Sequence, residues 1–396
     1  MVRLSMSDFD QNISPCGNDQ QHRAEHGTGE NITYDLYPSI VEKIGNSVAT
    51  GVVRALFTDV DATLVLGAGH SAAEIDQGQR DMRQLVAELN RLGFIIIPVT
   101  GSHFGSGTKT TGSIIDRIER GILPRVGGQV EDRSYSVDAY VSDGGALAVK
   151  AVSEGTPTLD THYATRVSPP DFQYDTVLKK ALVEAARLGL APLGAEEQAL
   201  MAQYDKHVGP ERIYLQPGTQ EGYHRLANKV AFYFYANTLQ DRDAIEVHFQ
   251  RTMEQFGLSV VCCEEKDANS AARRHSEASR LLAQESLPLK YCLDIVPFTK
   301  GSAVNYFADY ISNVSTEIAL SRGVARPTLE IWACGDSGND IPLMVPAMVS
   351  RVVVVGGASA ELVRCAEALT EQGKKVFIER DPSRLGPASI AAALQS

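Results

Sequence analysis

The run Val52-Val53-Arg54-Ala55-Leu56-Phe57-Thr58-Asp59-Val60 limits this chain's fold more than any other feature. A nearly continuous apolar run of that length is a strand with both faces covered, and such strands sit in parallel sheets whose crossover helices do the covering. A helical pattern follows from about Ala72 to Leu92, with Ile75, Met82, Leu85, Val86, Leu89 and Leu92 on one face. The strand Phe94–Val99 comes next, completing a βαβ unit.

The alternation returns late in the chain: LEIWAC reads as strand, IPLM as helix, RVVVV as strand, ELVRCAEAL as helix, KVFI as strand, and SIAAALQ as a final helix. Both ends fit one doubly wound parallel-sheet (Rossmannoid) α/β core. Between them lie two amphipathic helices, YDTVLKKALVEAARLG and DAIEVHFQRTMEQFG, with short strands RIYL, KVAFYFYA and LSVVCC. This middle region reads as an α+β domain inserted over 148–297, which leaves the core as 51–147 plus 298–396. The domain boundary then forms a cleft. Residues 1–50 are polar and read as a poorly ordered extension ending in a short helix around Ile40, Val41 and Ile44; EEKDANSAARRHSEASR, 264–280, reads as a solvated loop.

Lys and Arg number 37 against 49 Asp and Glu, a net charge of −12, which argues against nonspecific grip on nucleic acid or an anionic membrane. Neither an apolar stretch of about 18 residues nor a basic-then-apolar start occurs, so the chain reads as cytoplasmic. Its cysteines, at 16, 262, 263, 292, 334 and 365, lack zinc-like spacing and read as reduced thiols.

The chemistry gathers where strands end. In Phe57-Thr58-Asp59-Val60-Asp61-Ala62-Thr63, carboxylates two residues apart leave an extended strand on one side, at the sheet edge where open α/β folds bind ligands. Cys334-Gly335-Asp336-Ser337-Gly338-Asn339-Asp340 brings Asp336 and Asp340 to the same edge. Alone, each segment could be an ordinary loop or N-capped turn. Together, four carboxylates without a nearby Cys or His describe a hard-cation site, with Mg²⁺ the expected occupant. Thr100 and Gly101 follow the second strand and offer a hydroxyl and backbone N–H groups to phosphate oxygens. Lys300, ahead of a helix from about Ser302 to Ser321, would offset the negative charge of that edge.

In this order the pieces resemble the haloacid dehalogenase superfamily of phosphatases, with DVDAT as motif one, Thr100 as motif two, Lys300 as motif three and GDSGND as motif four. The insert is similar to that superfamily's type-two cap. GDSGND, NKVAFYFYA and GPASIAAAL most resemble the sucrose-phosphatase-type sugar phosphatases, and the resemblance spans about 53–396. It implies Asp59 as nucleophile forming an aspartyl-phosphate, and Asp61 as general acid and then base. It implies Mg²⁺ held by Asp59, the Asp61 carbonyl and Asp336, with Asp340 in support. Thr100, Gly101 and Lys300 would hold the phosphoryl group, and Lys229 the substrate.

Three departures stand out. Ala62 replaces a glycine, which a left-handed conformation there would penalise; Ser102-His103 stands where relatives carry an arginine; and the loop from Glu264 to Arg280 is extra. The expected activity is Mg²⁺-dependent hydrolysis of a sugar phosphate or phosphorylated glycoside. A sugar phosphomutase and a non-catalytic sugar-phosphate sensor are the alternatives. The expected partner is a phosphorylated sugar, with no nucleic acid or membrane, on a monomer or homodimer.

Overall fold

A computed structural model describes residues 37–66, 70–101, 137–142, 145, 147–153, 156–167, 173–192, 212–215, 229–236, 238–264, 289–381 and 383–396. In chain order the first elements are α1 (Pro38–Val48), β1 (Val52–Thr58), α2 (Ala72–Arg91), β2 (Phe94–Pro98), β3 (Tyr140–Ser142), β4 (Leu147–Ser153), β5 (Thr156–Leu159) and α3 (Thr161–Val167). There follow α4 (Tyr174–Arg187), β6 (Ala191–Pro192), β7 (Arg212–Leu215), β8 (Val230–Ala236), α5 (Leu239–Glu254), β9 (Ser259–Glu264) and β10 (Leu289–Val296). The last are α6 (Lys300–Ser321), β11 (Thr328–Gly335), α7 (Ile341–Met344), β12 (Val349–Val354), α8 (Ala360–Glu371), β13 (Lys375–Ile378) and α9 (Pro387–Leu394).

The core sheet runs β13-β12-β11-β1-β2, every neighbour parallel, with β11 in the middle and β1 between β11 and β2. Its two faces are both sealed, as the apolar run requires. Val53, Ala55, Phe57, Ile95 and Ile97 pack with α1, α6, α7 and α8 on one side. Leu56, Ile96, Trp332 and Val353 pack with α2 and α9 on the other. Helix α2 starts where Ser71 and Glu74 cap one another reciprocally.

Helix α1 falls in the segment read as extension, yet Tyr37, Ile40, Ile44 and Val48 are buried in the core cluster. Polar anchors hold it there. Lys43 Nζ reaches Asp138 Oδ2 at 2.6 Å and the Phe94 carbonyl at 2.7 Å, while Tyr37 Oη donates to the buried Asp160 at 2.7 Å. The packing therefore counts α1 with the core, and the boundary expected at 51 does not coincide with it. Residues 1–36 lie outside the described residues, as does most of the 264–280 loop.

The boundary expected at 148 falls inside β4. The small antiparallel sheet β3-β4-β5 joins the core through a Val99–Val141 bridge and a 2.9 Å bond from the Thr100 N–H to the Val141 carbonyl. Ala148 and Tyr163 share the core's apolar cluster. A separate sheet, β6-β7-β8-β10-β9, packs one face against α4 and α5 through Phe232, Phe234, Val260, Leu293 and Ile295. Its β9 lies against the Gly338–Asp340 turn of the core. Arg242 on α5 also reaches across, with Nη2 2.9 Å from Glu361 Oε1 on α8 and 3.1 Å from the Cys262 carbonyl. Among the described residues, no helix is long and apolar enough to cross a membrane.

Candidate active site

Three strand ends and one helix start converge at the carboxyl edge of the core sheet. Asp59 follows β1, Thr100 and Gly101 follow β2, Asp336 follows β11, and Lys300 opens α6. The backbone registers these ends: the Asp59 N–H donates to the Cys334 carbonyl at 2.9 Å, bringing motif one level with motif four.

Lys300 lies at the middle of the cluster. Its Nζ is 2.6 Å from Asp59 Oδ1, 2.6 Å from Asp340 Oδ1 and 3.4 Å from Asn339 Oδ1. All of this is buried: the side chains of Lys300, Asp59 and Asp340 are 3%, 7% and 0% exposed. Burial alone would lower the lysine's pKa, but the charges of Asp340 and Asp59 outweigh it and hold the ammonium well above its ordinary value.

Asp340 has both oxygens engaged. While Oδ1 meets Lys300, Oδ2 accepts the backbone N–H groups of Asp336 and Ser337 at 2.9 and 3.1 Å. It orients both the turn and the lysine. Gly335 makes room for it, because a Cβ there would stand 2.4 Å from Asp340 Cβ and 2.6 Å from Oδ2. Asp336 is positioned by Thr63, whose Oγ1 donates to Oδ1 at 3.2 Å, and by its own carbonyl, which accepts the Ser359 N–H at 2.8 Å.

Asp59, Asp336 and Asp340 offer carboxylate oxygens that all lie within 4.8 Å of one another. Among the described residues, Lys300 supplies the one ammonium paired with these acids. Burial, then the Asp340 charge, push the Asp59 carboxyl up to about 8 despite the opposing pull of Lys300. An all-oxygen donor set with surplus negative charge fits a small hard cation. Asp61 stands two residues beyond Asp59 and close enough to raise its pKa further; its own side chain is not among the clustered acids.

The structure brings Asp59, Asp336, Asp340 and Lys300 into contact. Thr100 is buried at the end of β2, and Gly101 lies beside Asn339. Lys229 is elsewhere, at the start of β8, with its Nζ 2.7 Å from Asp294 Oδ2. Ser102 and His103 lie outside the described residues. Two contributors went unassigned in the sequence reading: Thr63 and Asn339. Both sit inside the quoted motifs, but only the turns around them reveal their partners. Ala62 adopts φ 61°, the left-handed region in which a Cβ is penalised.

In its parallel core sheet and in the acids and lysine gathered at that sheet's edge, the chain resembles phosphatases of the haloacid dehalogenase superfamily. More particularly, residues 237–386 match the family model described as sucrose-6F-phosphate phosphohydrolase, so the chain resembles sucrose-phosphatase-like members of that superfamily. A search of curated proteins finds no match. Among solved structures, a haloacid dehalogenase-like hydrolase from Bacillus subtilis is 19% identical, covering 87% of this chain and 94% of that one, with TM-score 0.40. BT1666 from Bacteroides thetaiotaomicron, a phosphatase of the same superfamily, is 16% identical over 87% and 95%, with TM-score 0.44. An IMP-nucleotidase from Plasmodium falciparum is 13% identical over 84% and 71%, with TM-score 0.41. At these scores nothing about activity follows from the likenesses.

Proposed function

We propose that the protein hydrolyses a phosphomonoester of a sugar or phosphorylated glycoside, with Asp59 as nucleophile. The observation that carries this reading is Lys300 held between Asp59 and Asp340, beside Asp336, at the carboxyl edge of β1. An Asp59 oxygen attacks phosphorus, the ester oxygen leaves, and an aspartyl-phosphate forms. Asp61 gives a proton to the departing sugar hydroxyl and then removes one from the water that cleaves the intermediate. Thr100, the Gly101 backbone and Lys300 hold the phosphoryl oxygens, while Asp340 keeps Lys300 in place.

Asp59, the Asp61 carbonyl and Asp336 would hold Mg²⁺, which supplies charge neutralisation at the phosphoryl group when bound. The module that carries β6 to β10 acts as a cap over the site, and Lys229 contributes to recognition of the sugar. The Arg242–Glu361 contact holds cap and core together, which favours exclusion of bulk water.

Inorganic phosphate release from a panel of sugar phosphates, in Mg²⁺ and in EDTA, tests the reading. Metal-dependent release on one or two sugars, abolished in a folded Asp59→Asn variant, is expected. Substantial turnover by Asp59→Asn would sink the nucleophile assignment. Conversion to an isomeric sugar phosphate without free phosphate would replace hydrolysis by mutase chemistry.

A further inference from the structure

Strands β9 and β10 are antiparallel, and their register places Cys263 directly opposite Cys292. Directly opposed residues in such a pair have Cα atoms about 4.5 or 5.5 Å apart, and both separations lie within the roughly 4.4–6.8 Å that a disulfide spans. Alternation then decides which way the side chains point. Tyr291, Leu293 and Ile295 on β10 and Val260 and Cys262 on β9 belong to the apolar cluster beneath α4 and α5. Cys292 and Cys263 therefore share the opposite face, which those helices leave uncovered.

On that face the two thiols interact with each other, and the Cys292 Sγ also lies 3.4 Å from Asp294 Oδ1. Asp294 in turn holds Lys229, whose ammonium feels both sulfurs electrostatically. Cys263 is half-buried and Cys292 is 7% exposed, so Cys263 is the more open residue of the pair. The adjacent Cys262 points into the apolar cluster and cannot replace Cys263.

We propose that Cys263 and Cys292 are a reversible dithiol–disulfide site that takes a hydroperoxide as oxidant. The Cys263 sulfur, having given up its proton, attacks a peroxide oxygen; the O–O bond breaks, a sulfenic acid forms, and the departing hydroxide leaves as water with that proton. Cys292 sulfur then displaces hydroxide from that sulfenic sulfur, the S–S bond forms, and the released hydroxide leaves as water with the Cys292 proton. With hydrogen peroxide the balance is two thiols and one peroxide to one disulfide and two waters. The sulfurs together lose two electrons and the peroxide gains them. A small dithiol returns such a bond to thiols by exchange through a mixed disulfide.

The test needs no knowledge of the enzyme's substrate. Full-length protein is treated with hydrogen peroxide under native conditions, alkylated, digested without reductant and weighed by mass spectrometry. The expected product is a linked pair of peptides carrying Cys263 and Cys292, two hydrogens lighter than their sum, separated by dithiothreitol. In Cys292→Ser, Cys263 should instead remain a sulfenic acid that dimedone traps. Oxidation of Cys263 in the wild-type protein to sulfinic acid without the linked peptide would overturn the proposal. So would a link that runs through Cys262 or Cys365, or recovery of both thiols intact from protein whose methionines are oxidised. The wild-type measurement stands even if a serine variant fails to fold.

Discussion

Among the described residues two buried lysines, Lys229 and Lys300, meet carboxylates, and their settings differ in charge balance. Lys229, in the peripheral sheet, has its Nζ 2.7 Å from Asp294, and the side chains are 10% and 19% exposed. Burial would lower Lys229 and the Asp294 charge more than restores it, so the pair is electrically complete. Lys300 faces Asp59 and Asp340 at 2.6 Å each, with Asp336 beside them, in a site nearly sealed from water. That cluster keeps surplus negative charge in low dielectric, where an unpaired charge is costly. A balanced pair fastens a strand end; an unbalanced one is incomplete without something positive.

The sharpest way to break this comparison is to delete each lysine. Lys300→Met strands three buried acids and, in EDTA, should cost about 3–5 kcal/mol of stability, with turnover lowered about 10²–10³-fold or more. Lys229→Met leaves one carboxylate that can hydrate, so about 1 kcal/mol is expected. Urea unfolding of the two variants measures the difference. Equal losses would mean that the two settings are energetically alike and that the contrast is only pictorial.

A smaller effect, carried by protons, sharpens the same contrast. The unfolded Asp59 carboxyl titrates near 3.9, and the folded one is pushed up to about 8 chiefly by burial. Between those values the folded state binds more protons than the unfolded state, so this group's contribution to stability falls as pH rises through that window and then levels off. Mg²⁺ competes with that proton. In wild-type protein, the rise in Tm on adding Mg²⁺ should therefore be larger at pH 9 than at pH 6. Asp59→Asn, which has no proton there to displace, should show a gain that varies less with pH. A larger Mg²⁺ effect at the lower pH would reverse the linkage.

Much of the core was legible because parallel strands buried on both faces leave continuous apolar runs, as β1 and β2 do, and because ligands gather where such strands end. Asp59, Thr100, Asp336 and Asp340 were singled out at such strand ends and Lys300 ahead of a helix, and Lys300 lies against Asp59 and Asp340 in the structure. Strand β10 went unread although Leu289, Tyr291, Leu293 and Ile295 alternate correctly. Its interleaved Lys290, Cys292 and Asp294 blurred the pattern beside a polar stretch. The amphipathic face of α1 was visible in part, but its docking depends on Tyr37 finding Asp160, 123 residues away. Arg242 and Glu361 are 119 residues apart, and no local pattern pairs them. Spacing reports a face; it does not report what covers it.

The smallest effect concerns Ala62, where the chain turns from Asp59 toward Thr63. Its N–H donates to the Val65 carbonyl at 2.8 Å, while Leu64 and Val65 both donate to the Val60 carbonyl at 3.0 and 2.8 Å. The turn thus closes on itself and holds Ala62 at φ 61°, against the preference of an L residue with a Cβ. Such a conformation costs roughly 1–2 kcal/mol for alanine. Glycine removes that strain but gives the unfolded chain more freedom, worth about 0.4–1 kcal/mol in the other direction. Ala62→Gly should therefore stabilise the protein by about 0.5–1 kcal/mol, read as a higher urea midpoint at unchanged slope. Because the turn's hydrogen bonds remain, kcat should stay within about twofold, corresponding to no more than about 0.4 kcal/mol in the barrier. A lower midpoint would show that the alanine is not strained, and a large gain in turnover would show that the tight turn restrains Asp61.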